Sequence, residues 1–284
     1  MKRFLYSLVT MLGVISISIS SCKKEEPVND VQDLTSVEES AMAGETFFDA
    51  FADLSSLAAE NDGLFSVAEN GFQIKDAPPA VSNACGEVSI SPLNNTWPKT
   101  LTLDFGDGCT VENVFRKGKI RAIFSDRFKN TGAKITVSFD NFQVNDHKIE
   151  GTKTITNNGK NAAGNLNFTV EVSKSKISSS DKVISFSSVN HIEWVVGAET
   201  RIPGDDVFSI TGSANGKNSK GKEFAITIVK PLIKKVACRF IVAGSTDIKS
   251  GSHQTRTLDY GSGDCDNKAS VTVEGETKEI TLRK

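Results

Sequence analysis

The sequence predicts an all-β protein, mainly an antiparallel meander built as a sandwich or a barrel-like curved sheet, with one N-terminal amphipathic helix. Three observations lead there. Apolar and polar residues alternate with period two through most of the chain beyond Glu87. Short links rich in glycine and asparagine join the alternating stretches, which favours hairpins over helical crossovers. Only one segment carries a helical period.

That segment comes first. Ser36 and Glu39 have capping-box spacing, and Phe47, Phe51, Leu54 and Ala58 recur on one face before Asn61-Asp62-Gly63 stops the pattern. A helix over 37–61 is expected, its apolar stripe docked on the sheet. The strand patterns then follow in order: EVSIS, TLTLDF, KIRAIFS, KITVSFDNFQV, KIEGTKTIT, LNFTVEVS, VISFSSVNHIEWVV, FSITGSA, EFAITIV, CRFIVAG, TRTLDY, SVTVE and EITL. The links NNGKNAAGN, ANGKNSKGK and VEGET have turn composition. A single β-rich domain over 37–284 is expected.

Ahead of it, residues 1–21 combine a basic start at Lys2 and Arg3 with an apolar run from Phe4 to Ile19. The run falls short of the roughly 20 residues a membrane span needs, so it reads as an export signal. Residues 22–36 are polar and acidic without periodicity, the composition of a flexible tether. The formal net charge is −2, and it becomes more negative once Lys2 and Arg3 leave with a signal. A balanced, slightly acidic surface argues against a nucleic-acid partner.

Ile19-Ser20-Ser21-Cys22 resembles the bacterial lipobox, and the resemblance implies that Cys22 is acylated and becomes the mature N-terminus. Membrane partnership through that lipid follows. Lys23 stands where an aspartate would favour inner-membrane retention, so the outer membrane is expected. CKKEEP is similar to the acidic export signal of Bacteroidota-type surface lipoproteins, which implies the cell surface. The whole chain, with lipobox, acidic tether and a β-rich body carrying C…DFGDGC-like hairpins, resembles lipoproteins of that type. The resemblance implies an anchor and a location, and no activity.

With Cys22 given to lipid, Cys85, Cys109, Cys238 and Cys265 remain, an even set in a compartment that permits disulfides. Pairing Cys85 with Cys109 centres on NNTWPK, and pairing Cys238 with Cys265 centres on KSGSH. Both centres have turn composition, so two locally stapled hairpins are expected.

TLDFGDGC and TLDYGSGDC are nearly one phrase written twice. Asp-Gly is a strong tight-turn signal, and turn chemistry accounts for the phrase. Calcium is the sharper alternative, with Asp104, Asp107 and Glu112, or Asp259, Asp264 and Asp266, offering oxygens. Neither run has EF-hand spacing or the six to eight oxygens a calcium shell takes. No metal and no other cofactor is expected.

Other chemistry is sparse. GKNSKGK, residues 216–222, has the glycine and lysine spacing of a phosphate loop, but Glu223 stands where Ser or Thr should follow. It joins two strand patterns, which makes it a hairpin loop. His191 and Glu193 share a strand face and could form an acid–base pair, although such a face is ordinarily a solvated one. Asp140, Glu150 and Glu171 could converge in a hydrolytic groove. Trp97, in the first stapled hairpin, is the aromatic candidate for contact with a protein or glycan partner, whereas Trp194 reads as core. The leading expectation is a non-catalytic lipoprotein with a binding or structural role. A carbohydrate-active or other hydrolytic enzyme using carboxylates, and a carrier of an apolar ligand in a barrel cavity, are the alternatives.

Overall fold

Alternation becomes strand at nearly every stretch where the sequence places it. The structure, a computed structural model, describes residues 34–60, 86–92, 96–111, 114–200 and 202–282, the side chains of residues 50 and 52–60 excepted. A helix, α1 (Thr35–Glu60), precedes β1 (Glu87–Ser91), β2 (Lys99–Asp104), β3 (Cys109–Val111), β4 (Val114–Phe124) and β5 (Lys134–Val144). The chain continues through β6 (His147–Lys160), β7 (Leu166–Ser178), β8 (Val183–Val196), β9 (Val207–Lys217) and β10 (Glu223–Lys235). It ends with β11 (Ala243–Ser250), β12 (Arg256–Ser262), β13 (Lys268–Val273) and β14 (Glu276–Thr281).

The strands form one 14-stranded antiparallel sheet in chain order, with β3 set aside as a second partner of β4. β3 excepted, every strand therefore lies beside the next one made, as hairpin links require. β1 and β14 end the path and do not pair with each other among the described residues. The architecture is therefore a single rolled meander rather than two packed sheets.

The concave face rolls around α1. Phe51, fully buried, sets its ring 5.7 Å from Phe168 on β7 and 5.5 Å from Phe208 on β9. Phe47 stacks on Phe186 of β8 at 5.8 Å and meets Phe139 of β5 edge-on at 6.2 Å. Aromatic rings in these geometries add to their area burial, and here they tie one helix to strands far apart in sequence. Leu54 and Ala58, which extend the expected stripe, have side chains outside the described set.

The helix start differs from the expected capping box. Glu38 N–H donates to the Leu34 carbonyl at 3.0 Å, so the helix begins ahead of Ser36. Ser36 Oγ instead accepts from Asn218 Nδ2 at 2.9 Å and donates to Ser250 Oγ at 3.0 Å, which donates in turn to the Glu223 carbonyl at 3.0 Å. Glu39 accepts from Ser219 N–H at 2.7 Å and from Ser219 Oγ at 2.6 Å. The pair that spacing assigned to capping thus docks the helix on the β9–β10 turn and the end of β11.

CRFIVAG is the second departure. Residues 236–242 form turns and loop, with Cys238, Phe240, Ile241 and Val242 buried, and strand β11 starts only at Ala243. Three consecutive apolar residues fill the core from a loop as well as from a strand, and periodicity does not separate the two.

Cys238 and Cys265 are bonded, with Cα atoms 5.4 Å apart. They flank the β11–β12 hairpin, in which Ala243 faces Ser262 and the turn holds Gly251. This is the staple expected from the turn at KSGSH. Cys109 is disulfide-bonded as well, and Cys85, its expected partner, lies outside the described residues, as does Cys22.

Candidate ligand cavity

The repeated phrase is a repeated turn. Asp104 Oδ1 accepts from Gly106 N–H at 2.9 Å, and Asp259 Oδ1 accepts from Gly261 N–H at 2.8 Å. Gly106 and Gly261 have φ of +56° and +88°, the left-handed region that glycine enters without strain. Phe105 and Tyr260, at matching places in the phrase, are both buried. Each aspartate faces a lysine: Asp104 meets Lys119 at 2.6 Å and Asp259 meets Lys230 at 3.7 Å. The Lys119 hydrogen bond, helped by Gly106 N–H, holds the Asp104 carboxyl below its ordinary range.

Among the described residues no three His, Cys, Asp or Glu side chains are grouped as a metal would need. Asp107 and Asp264 are exposed, and Asp266 Oδ1 accepts from Lys268 N–H at 3.0 Å. Glu112 lies outside the described residues. GKNSKGK is a β9–β10 hairpin, where Asn218 Oδ1 accepts from Lys220 and Lys222 N–H groups at 3.0 and 2.9 Å. Its anion is internal, the Glu39 carboxylate.

The acid–base candidates stand apart. His191 is exposed on β8, with Nδ1 3.4 Å from Thr169 Oγ1. Glu193 is committed elsewhere: it accepts from Asn165 Nδ2 at 2.8 Å and Asn161 Nδ2 at 2.7 Å. Those amides, Asn165 foremost, depress its carboxyl pKa, opposite to what a proton donor at neutral pH requires. Asp140 lies 3.9 Å from Arg121, Glu150 lies 2.8 Å from Lys148, and Glu171 faces Thr154 and Val189 across the sheet. These three carboxylates occupy three successive strands and each has its own neighbours.

Trp194 is core, with Nε1–H donating to Asp206 Oδ1 at 3.0 Å. Trp97 is half-buried against the core, and the Lys99 ammonium lies 5.6 Å from its ring centroid. One face of the expected platform is thus covered by a cation from its own hairpin.

Where the sheet and α1 part, they leave a cavity of about 370 Å³. Its helix wall is Met42, Thr46 and Asp49, its sheet wall comes from β4 to β7, and residues 234–239 line it from the far side of the roll. Paired irregularities shape the sheet wall. Gly118 has φ +79°, and a Cβ there would lie 2.2 Å from the Asn141 carbonyl oxygen, while Asn141 itself has φ +49°. The register shift beside them turns both Phe139 and Phe142 inward, their rings stacked 5.6 Å apart.

Cations sit among these apolar walls. Lys234, buried, donates to the Cys238 and Arg239 carbonyls at 2.7 Å each and lies 3.9 Å from Asp49. Arg239 is exposed at the rim, its guanidinium 5.7 Å from the Phe240 ring. Arg116, half-buried opposite Val144, makes no side-chain hydrogen bond or ion pair among the described residues. His147, also lining, pairs with Asp146 at 2.8 Å. None of this was singled out from sequence. The available signal was the three-residue spacing of Phe139 and Phe142, which breaks an otherwise regular alternation.

Compared with models of protein families, with curated proteins and with solved structures, the chain matches none.

Proposed function

We propose that this protein is a lipid-anchored outer-membrane lipoprotein, carried to the cell surface, whose rolled β body binds a small ligand without transforming it. Anchoring rests on Ile19-Ser20-Ser21-Cys22, and surface location on the acidic stretch after it. The observation that carries the binding role is the cavity of about 370 Å³ between α1 and the sheet, within the usual range for small-molecule sites. The locked state of Glu193 and the separate settings of Asp140, Glu150 and Glu171 favour binding over hydrolysis. Aromatic packing of α1 against the sheet favours a compact side cavity over a barrel-wide lipid chamber.

Replacing Cys22 tests the anchor. Cys22→Ala is expected to give an unprocessed or released protein, seen as a changed mass and loss from the outer-membrane fraction. Unchanged mass and fractionation would remove the lipid from the reading.

A further inference from the structure

The geometry points to a single-chain anionic amphiphile, a fatty carboxylate of medium length, as the ligand of the cavity between α1, β4–β7 and residues 234–239. This deepens the binding role proposed above.

Arg116 supplies the group that would recognise the anion. An arginine fork presents several N–H donors in one plane and matches a carboxylate in bidentate geometry. In this protein that fork is half-buried in a cavity wall and meets no acceptor among the described residues. Lys234 and Arg239 line the same cavity, where Asp49 is the one acidic side chain among the lining residues. The lining is thus net cationic within a chain whose formal charge is −2. That local reversal of sign favours an anion.

Apart from Thr46, Asn145 and His147, the rest of the wall is apolar. Ile120, Phe139, Phe142, Val144, Ile149 and Ile177 offer nothing to a second polar group. A small hydrophilic anion would leave this surface wet, whereas an acyl tail would cover it. At roughly 30 Å³ for each water-sized group, the cavity holds about a dozen heavy-atom groups. A ten-carbon carboxylate fits that volume with its head on Arg116.

Photo-crosslinking on the purified full chain tests this. The protein is irradiated with a diazirine-bearing decanoate and the labelled peptides are mapped. Labelling is expected on peptides containing Ile120, Phe139 to Ile149 or Val236 to Arg239. Unlabelled decanoate should compete at least tenfold better than decanol, its neutral counterpart. Arg116→Gln should lower labelling about tenfold, and Arg116→Lys, which keeps the charge and loses the fork, should fall between.

Labelling spread along the chain, equal competition by decanol, or full labelling of Arg116→Gln would each overturn the proposal. If Arg116→Gln shifts the urea midpoint, the decanoate-to-decanol comparison on the unaltered protein decides alone. The readout is a position on the chain, so it stands or falls separately from the lipid on Cys22. Labelling confined to these peptides but displaced equally by both competitors would keep a binding protein and reject its anionic ligand.

Discussion

Asp206 and Glu193 show what single side chains contribute. Asp206, buried, accepts the Trp194 indole N–H. Asp206→Ala would leave that donor without its acceptor in the core, at a cost of about 1–3 kcal/mol, and Asp206→Asn, which keeps an acceptor oxygen, should cost less. Urea unfolding followed by tryptophan fluorescence checks both. Glu193 has a folded pKa below its unfolded one because Asn165 and Asn161 donate to the carboxylate. Its contribution is therefore present above about pH 4.3 and lost as the pH falls through the lower folded value. Glu193→Gln should lower stability at neutral pH and flatten this part of the acid-unfolding curve, read by circular dichroism. At this scale the sequence was partly legible. The place of Trp194 in an apolar strand marked it as core, but its acceptor comes from a turn beyond the strand, which no local pattern announces. Lys153 was legible in principle: it shares strand parity with Ile149 and Ile155, and it is fully buried, its ammonium donating to the Phe47 carbonyl. A lysine is ordinarily kept in solvent, so parity alone does not announce the burial.

At the scale of elements, α1 is held at its start by hydrogen bonds to the β9–β10 hairpin and to Ser250 of β11. Asn218 both closes the β9–β10 turn and donates to Ser36. Asn218→Ala removes both roles and is expected to lower stability by about 1–3 kcal/mol. Hydrogen exchange should show the extra opening concentrated in α1 and in the β9–β10 turn, a pattern that uniform destabilisation would contradict. The helix was visible in the spacing of Phe47 and Phe51, and its length was nearly right. The function of Ser36 and Glu39 was hidden because a capping box and a tertiary anchor use the same residue types. The repeated aspartate phrase was legible for the opposite reason: Asp104 with Gly106, and Asp259 with Gly261, complete their hydrogen bonds within three residues. Local chemistry can be read from local sequence.

For the whole molecule, sequential strand order could be inferred from short links, whereas the roll that brings residues 234–239 opposite β4–β6 could not. Rolling depends on the sum of many small twists and on irregularities such as that at Gly118 and Asn141. The sheet order also sets where the protein opens. Strands β6 to β9 are paired on both sides along long registers, while β1 and β14 are paired on one side only among the described residues. Native-state hydrogen exchange should be slowest in β6–β9 and fastest in β1 and β14; equal protection across the sheet would contradict this order of opening. The placement of α1 has a mechanical consequence. Leu34, the first described residue, is buried, and the helix that follows it lies inside the roll. Tension applied at Leu34 therefore enters through α1 rather than at an edge strand, which could peel one hydrogen-bonded pair at a time. The helix must shear away from Asn218, Ser219 and Ser250 together, so the body resists a pull at Leu34 as a unit.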